Sequence, residues 1–378
     1  MPAFNTGRRR ILQAGAGIAA ASAAFSALAQ PPRAAGRGPV VAQIVDVSTM
    51  HQDVSKDFLI GSRAAWQDIN SRGGLRGRVV QHVAIEVDGS PASLLAALAQ
   101  VRDNTACVAL SGTVSTAAAS QLAALLRSEN LPIAHAAPWL QDGGPVDERT
   151  FPIFATRQEQ IAFALKSLST MGVRDLGAVY ATPQDHTLHH ESVERTAAAL
   201  QLRLQSFQAG ADARELGQRL TPGTPAILLF LGGTPELARF TQGLEKQARQ
   251  RYLVALADVN LQTLMQMGMA KNTPVIATQA VPMVTASLPV VRTYRETLAR
   301  LFDEPPSPLS LAGFIAARYT HEVLADVDGT PSRASVLAAF QRRAGMDLGG
   351  FRISFNPQRF GSTYVTQSML TQDGRVIG

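Results

Sequence analysis

From residue 40 to about residue 280 the chain alternates short apolar runs with longer segments of helical period, an alternation that leaves few folds open. Residues 40–47 form an apolar-rich run that reads as the first strand, and residues 56–70 read as a helix in which Phe58, Ile60, Ala64, Trp66 and Ile69 supply a mostly apolar face before Ser71-Arg72-Gly73-Gly74 ends the segment. The cycle recurs, with strands expected at 79–87, 106–110 and 131–134 and helices at 91–101 and 116–127. Such repetition specifies βαβ units on a parallel sheet. A second series starts near Thr156. It has helices at 159–171, 189–200, 213–220 and 235–250, and strands at 176–180, 202–207, 226–231, 252–255 and 275–280. Two doubly wound α/β lobes are implied. Helices at 290–302, 309–326 and 333–343 follow, and from Gly350 the pattern Phe351, Ile353, Phe355, then Tyr364, Thr366, Ser368 reads as an antiparallel hairpin.

With 378 residues, 46% of them hydrophobic and 17% charged, the chain has material for more than one core and is not disordered in the main. The formal charge of +6 is mostly an N-terminal property. Arg8, Arg9, Arg10, Arg33 and Arg37 precede residue 40 and no acidic residue does, so the remainder carries 30 basic side chains against 29 acidic ones. That body lacks the net basic field of a nucleic-acid binder. Residues 1–29 read as an export signal, with Gly7-Arg8-Arg9-Arg10-Ile11-Leu12-Gln13, a weakly apolar Ala/Gly stretch, and Ala27-Leu28-Ala29 as a cleavage site. The paired arginines resemble the twin-arginine motif. Gly15-Ala16-Gly17-Ile18-Ala19-Ala20 matches a dinucleotide fingerprint, but arginines rather than a strand precede it and cleavage removes it, so no cofactor is expected. Residues 30–39, rich in Pro, Gly and Arg, read as a flexible leader, and the mature chain as soluble and periplasmic. Cys107, the sole cysteine, reads as a buried core thiol, so no internal disulfide is available.

The segment Gly61-Ser62-Arg63-Ala64-Ala65-Trp66-Gln67-Asp68-Ile69-Asn70-Ser71-Arg72-Gly73-Gly74-Leu75-Arg76-Gly77-Arg78 resembles the second-strand approach of type I periplasmic binding proteins of the Leu/Ile/Val family. Gly73, Gly74 and Gly77 supply the positive φ angles of its tight reversal. The resemblance continues in order through Leu110-Ser111-Gly112-Thr113-Val114-Ser115-Thr116, Asn130-Leu131-Pro132-Ile133, Leu231-Gly232-Gly233-Thr234-Pro235-Glu236 and Gly349-Gly350-Phe351 with Phe355. It implies two Rossmann-like lobes joined by a three-crossover hinge: lobe one at 40–154 plus 281–345, and lobe two at 155–280 plus 346–378. Crossings near Ala155, Val281 and Gly345 would act as hinges.

Ligands of open α/β sheets bind beyond the carboxyl ends of the strands. Ser111, Thr113, Ser115 and Thr116 lie after the third strand, where hydroxyls and helix N–H groups suit a carboxylate; the same geometry also serves plain helix capping. The resemblance implies the carboxylate role. After the fourth strand come His135, Ala136 and Trp139; Trp139 either stacks on a ligand or packs its loop, and His135 is either a ligand group or a satisfied polar residue. In lobe two, Asp185 and His186 stand where relatives carry Tyr-Gly, Thr234 lies in the loop after the third strand of that lobe, and Asp258 maps near the acid that holds an amino group. His186, His189, His190 and Glu191 admit a metal reading or a polar helix start; lacking a defined third ligand, no metal site is assigned.

The resemblance implies an extracytoplasmic solute-binding protein, a monomer that captures a small carboxylate-bearing molecule such as an amino acid and delivers it to ABC permease and ATPase subunits. The alternative is a sensory receptor of the same fold acting on a signalling partner. No nucleophile elbow, P-loop or Cys-x-x-Cys is present, so no enzyme activity is expected.

Overall fold

The computed structural model describes residues 38–142, 148–269, 272–356, 359–371 and 376–377. The expected export signal and all of the leader up to residue 37 lie outside them. The first series runs β1 (Val40–Asp46), α1 (Gln52–Ser71), β2 (Gln81–Val87), α2 (Pro91–Asp103), β3 (Cys107–Ser111), α3 (Thr116–Ser128), β4 (Ala134–Ala136) and β5 (Thr150–Phe151). Its strands form one parallel sheet in the order β2-β1-β3-β4-β5. The second series runs α4 (Arg157–Thr170), β6 (Asp175–Tyr180), α5 (Pro183–Ala199), β7 (Arg203–Gln208), α6 (Ala213–Arg219), β8 (Ile227–Leu231), α7 (Thr234–Leu244), β9 (Tyr252–Ala255), α8 (Leu261–Gln266) and β10 (Val275–Gln279). The chain then adds α9 (Pro289–Leu301), α10 (Pro308–Ala325) and α11 (Arg333–Gln341) to the first lobe. A small sheet of β11 (Met346–Asp347), β12 (Arg352–Asn356) and β13 (Arg359–Gly361) follows, and β14 (Thr366–Leu370) with β15 (Val376–Ile377) completes the second sheet, ordered β15-β14-β10-β9-β8-β6-β7.

Burial explains the strand types. Every residue of β1 and β3 is buried, as a central parallel strand covered on both faces requires, whereas edge strand β2 is partly exposed along most of its length. The helices start on chemical signals: Ser90, Thr182, Ser307 and Ser332 each accept a backbone N–H three residues on, and Pro91, Pro183 and Pro308 occupy the first turn of their helices. The reversal after α1 has Gly73, Gly74 and Gly77 at φ of 105°, 60° and 80°, as expected.

Several elements differ from expectation. The fourth strand is β4 at Ala134–Ala136, beyond Leu131-Pro132-Ile133, because Pro132 cannot donate to a ladder. Helix α7 ends at Leu244 rather than 250, and α8 was not anticipated. The terminal hairpin pairs β12 with β13, while the segment around Thr366 and Ser368 instead joins β10 antiparallel, with Ser368 opposite Ala277. The stretch after Gly345 is shared: Leu348, Phe351 and Ile353 belong to the first lobe's apolar core, and β14 to the second sheet. No helix among the described residues is long and apolar enough to cross a membrane.

Candidate functional site

In each sheet the strand order reverses direction once, between β1 and β3 and between β6 and β8, and in open α/β sheets ligands are held beyond the strands' carboxyl ends at such reversals. The loop after β3 is held from every side. Gly112, at φ 65°, donates its N–H to Ala136 O at 2.9 Å and receives Gln43 Nε2 on its carbonyl at 2.8 Å. Thr113 O accepts from Trp139 N at 2.8 Å, and Val114 N donates to Ile44 O at 3.1 Å. Ser115 sits at φ 76°, caps α3 by accepting from Ala118 N, and donates its hydroxyl to Asp46 Oδ2 at 2.9 Å.

This rigid loop leaves specific groups unspent. Thr113 Oγ1 and Thr116 Oγ1 are buried without a hydrogen-bond partner, as is Gln141 Nε2 on the adjoining loop. All three can donate. The N–H groups of Thr116 and Ala117, in the first turn of a 13-residue helix, have no intrahelical acceptor and add to the donors near this loop.

Other expected site residues are placed elsewhere. Ser111 lies in β3 and its hydroxyl pairs with Thr320 Oγ1 at 2.7 Å inside the first lobe. His135 and Ala136 are fully buried in β4. Ser115, with its hydroxyl both accepting from Ala118 and donating to Asp46, serves as a cap and has no proton left for a ligand. Trp139 is only 1% exposed; Phe58 meets it edge-on at 5.7 Å and Phe154 lies 5.1 Å away, so packing and not ligand stacking sets its ring. Its indole N–H reaches Asp258 Oδ1 at 3.3 Å.

On the second lobe, α5 begins at Pro183, six residues earlier than expected, because Thr182-Pro183 is a start signal. Asp185 and His186 therefore stand in its first turn and not in an open loop. Thr182 Oγ1 donates to Asp185 Oδ2 at 2.7 Å and accepts from Asp185 N. Burial raises the Asp185 carboxyl above its ordinary value against the pull of Thr182 and Arg157. His186 stacks on His190 at 4.4 Å, and Tyr180 stands edge-on to both. Among the described residues no group of three or more His, Cys, Asp or Glu is placed to hold a metal ion.

Arg157 is not among the expected site residues. Its guanidinium binds Asp142 Oδ1 at 2.7 Å, meets Asp258 Oδ2 through Nε at 2.8 Å and also through Nη2, and lies 3.4 Å from His189 Nε2. Asp142 belongs to the segment after β4 and Asp258 to the loop after β9, so one cation ties the crossover to both sheets. Nearby, Gln160 Nε2 donates to Gln141 Oε1, and Gln160 Oε1 accepts from Ala257 N and Thr278 Oγ1. Burial, then the Arg157 charge, keeps His189 below the usual imidazole range, so it is neutral at pH 7. The signal was present: Thr156-x-x-Glu159 is a capping box that puts Arg157 at the first helical position.

The chain belongs to the periplasmic binding protein family, whose model matches residues 40–369. No curated protein matches it. Among solved structures it is similar to an extracellular ligand-binding receptor from Verminephrobacter eiseniae, at TM-score 0.80 and 19% identity over 90% of this chain and 100% of that one. A branched-chain amino acid ABC transporter protein from Thermus thermophilus with bound valine gives TM-score 0.75 and 14% identity over 90% and 95%. A fatty acid ABC transporter substrate-binding protein from Thermomonospora curvata gives 0.76 and 13% over 90% and 91%. At such identities the likeness establishes the two-lobed type I fold, and the chemistry of the ligand rests on this chain's own residues.

Proposed function

We propose that the protein is an exported solute-binding protein that captures a small carboxylate-bearing molecule between its lobes, without turnover, and presents it to an ABC importer. The observation that supports this is the set of buried, unpaired donors on Thr113, Thr116 and Gln141 beside the open amides of α3. Buried polar groups are costly unless satisfied, and a set of two hydroxyls and an amide nitrogen that can all donate is matched by a ligand rich in acceptors. The family membership and the twin-arginine-like N-terminus agree with capture outside the cytoplasm. Asp258 is the natural partner for a ligand ammonium, but Arg157 and Trp139 already occupy its oxygens. A simple organic acid therefore fits better than an α-amino acid.

The test is calorimetry against matched panels of carboxylates, their neutral amides and α-amino acids. A carboxylate should bind near micromolar, about −8 kcal/mol, and its amide at least about tenfold more weakly. Thr113→Val with Thr116→Val, which keeps shape and removes both hydroxyls, should weaken the acid by about tenfold or more with little change in melting temperature. Equal binding of acid and amide, or a variant with full affinity, overturns the assignment.

A further inference from the structure

Asp53 and Asp57 stand one turn apart on α1, at the seam between the lobes. Asp53 Oδ2 accepts from Thr234 Oγ1 at 2.7 Å, and Asp57 Oδ2 accepts from Asn260 Nδ2 at 3.2 Å and from Ser307 Oγ at 2.8 Å. Thr234 Oγ1 in turn accepts from Asn260 N at 3.0 Å, which joins the two contacts into one network. Thr234 opens α7 and Asn260 caps α8, both in the second lobe, whereas α1 and Ser307 are in the first. We propose that Asp53 and Asp57 form a carboxylate clasp that fastens the second lobe onto the first and sets the closed fraction on which ligand capture draws. The proposal rests on the reading of the protein as a two-jawed trap, but the clasp acts on the free protein and needs no ligand.

The bonds from Thr234 and Asn260 exist only where the lobes meet; separation breaks both, while Asp57 keeps its bond from Ser307 within the first lobe. Apparent affinity scales with the fraction of molecules in the competent state, so residues that are not among the ligand donors control capture through this equilibrium. Closure also carries a proton linkage. Burial raises both carboxyls, opposed at Asp53 by Thr234 and at Asp57 by Ser307 and Asn260. The charged groups around them are His51 beside Asp53, the Lys56–Glu304 pair beside Asp57, and Glu236 in the first turn of α7; Tyr294, held up to about 12 mainly by burial, stays neutral. A carboxyl whose pKa is higher when closed than when solvated takes up protons on closing. The closed fraction therefore rises as pH falls from neutrality toward the ordinary carboxylate range.

The test uses the full mature chain without ligand, with fluorophores on the outer helices of the two lobes and small-angle scattering in parallel. The wild-type closed fraction should rise as the pH is lowered from neutrality toward the ordinary carboxylate range. Asp53→Ala with Asp57→Ala should lower the closed-to-open ratio at least about fivefold at every pH and flatten the profile. Asp53→Asn with Asp57→Asn, which keeps acceptors but not charge, should remain closed and equally flat. A double alanine variant with the wild-type closed fraction and pH profile overturns the clasp, as does an asparagine variant that still follows pH. Circular dichroism melting shows that each variant is folded. Loss of closure without any carboxylate binder would sink the proposed ligand class and leave the clasp standing.

Discussion

Replacing Gly313 by valine is expected to unfold the first lobe or to yield insoluble protein. Helices α1 and α10 touch backbone to backbone: a Cβ at Gly313 would lie 1.9 Å from Phe58 O, and one at Gly61 would lie 1.7 Å from Ser310 O. Ser62 Oγ donates to Gly313 O at 3.2 Å across the same contact. Neither acceptor is a flexible side-chain end, so the helices themselves must part, at a cost of about 3 kcal/mol or more. That corresponds to a melting temperature lower by roughly 6–12 °C in a lobe-sized unit. The shift also moves Phe58 from beneath Trp139 and drags Asp53 and Asp57 with it, so closure should fail in whatever protein remains folded. Gly210→Ala, at a glycine with nothing within 4 Å, is the control and should melt within about a degree of wild type. Thermal melts followed by circular dichroism decide the matter; a Gly313→Val protein as stable as the control would contradict the packing account.

The second large effect is expected at Arg157. Arg157→Met leaves the carboxylates of Asp142 and Asp258 facing each other's neighbourhood without their shared cation. Removing one member of a buried pair typically costs about 3–5 kcal/mol. The Arg157 side chain is 18% exposed and its partners 32% and 19%, so water screens part of this and about 2–3 kcal/mol is expected. Adding Asp258→Asn to the same chain should recover part of the loss, which separates unpaired charge from lost packing. Arg157 also depresses the protonation of His189, so the methionine variant should titrate that imidazole at higher pH than wild type, as read by NMR. The freed Asp258 should improve binding of α-amino acids relative to simple carboxylates, and an unchanged preference would remove Arg157 from the determinants of specificity.

The elements of regular period were legible from residues alone. Unbroken apolar runs such as Cys107–Ser111, helix faces such as that of α1, and starts such as Ser90-Pro91 carry local signals that packing did not overrule. The Gly73-Gly74-Gly77 turn was legible because positive φ is a property of the residue itself. Legibility fell at the ends of elements and at the site. Beginning α1 at Lys56 instead of Gln52 hid the placement of Asp53 and Asp57 on the same helix. Ser115 and Thr116 looked interchangeable as hydroxyls, and only the position of Asp46, 69 residues away in sequence, shows that one is a committed cap while the other is unpaired.

Sequence by itself determined the fold class, the two-lobe order and the loops in which a ligand is to be sought, because periodicity, turn chemistry and strand order act over neighbouring residues. Tertiary structure decided which side chains in those loops are free to bind. Hydrogen-bond capacity is finite, and whether Ser111, Asp258 or Thr234 has already spent it depends on Thr320, Arg157 and Asp53, residues brought near only when the helices and sheets pack.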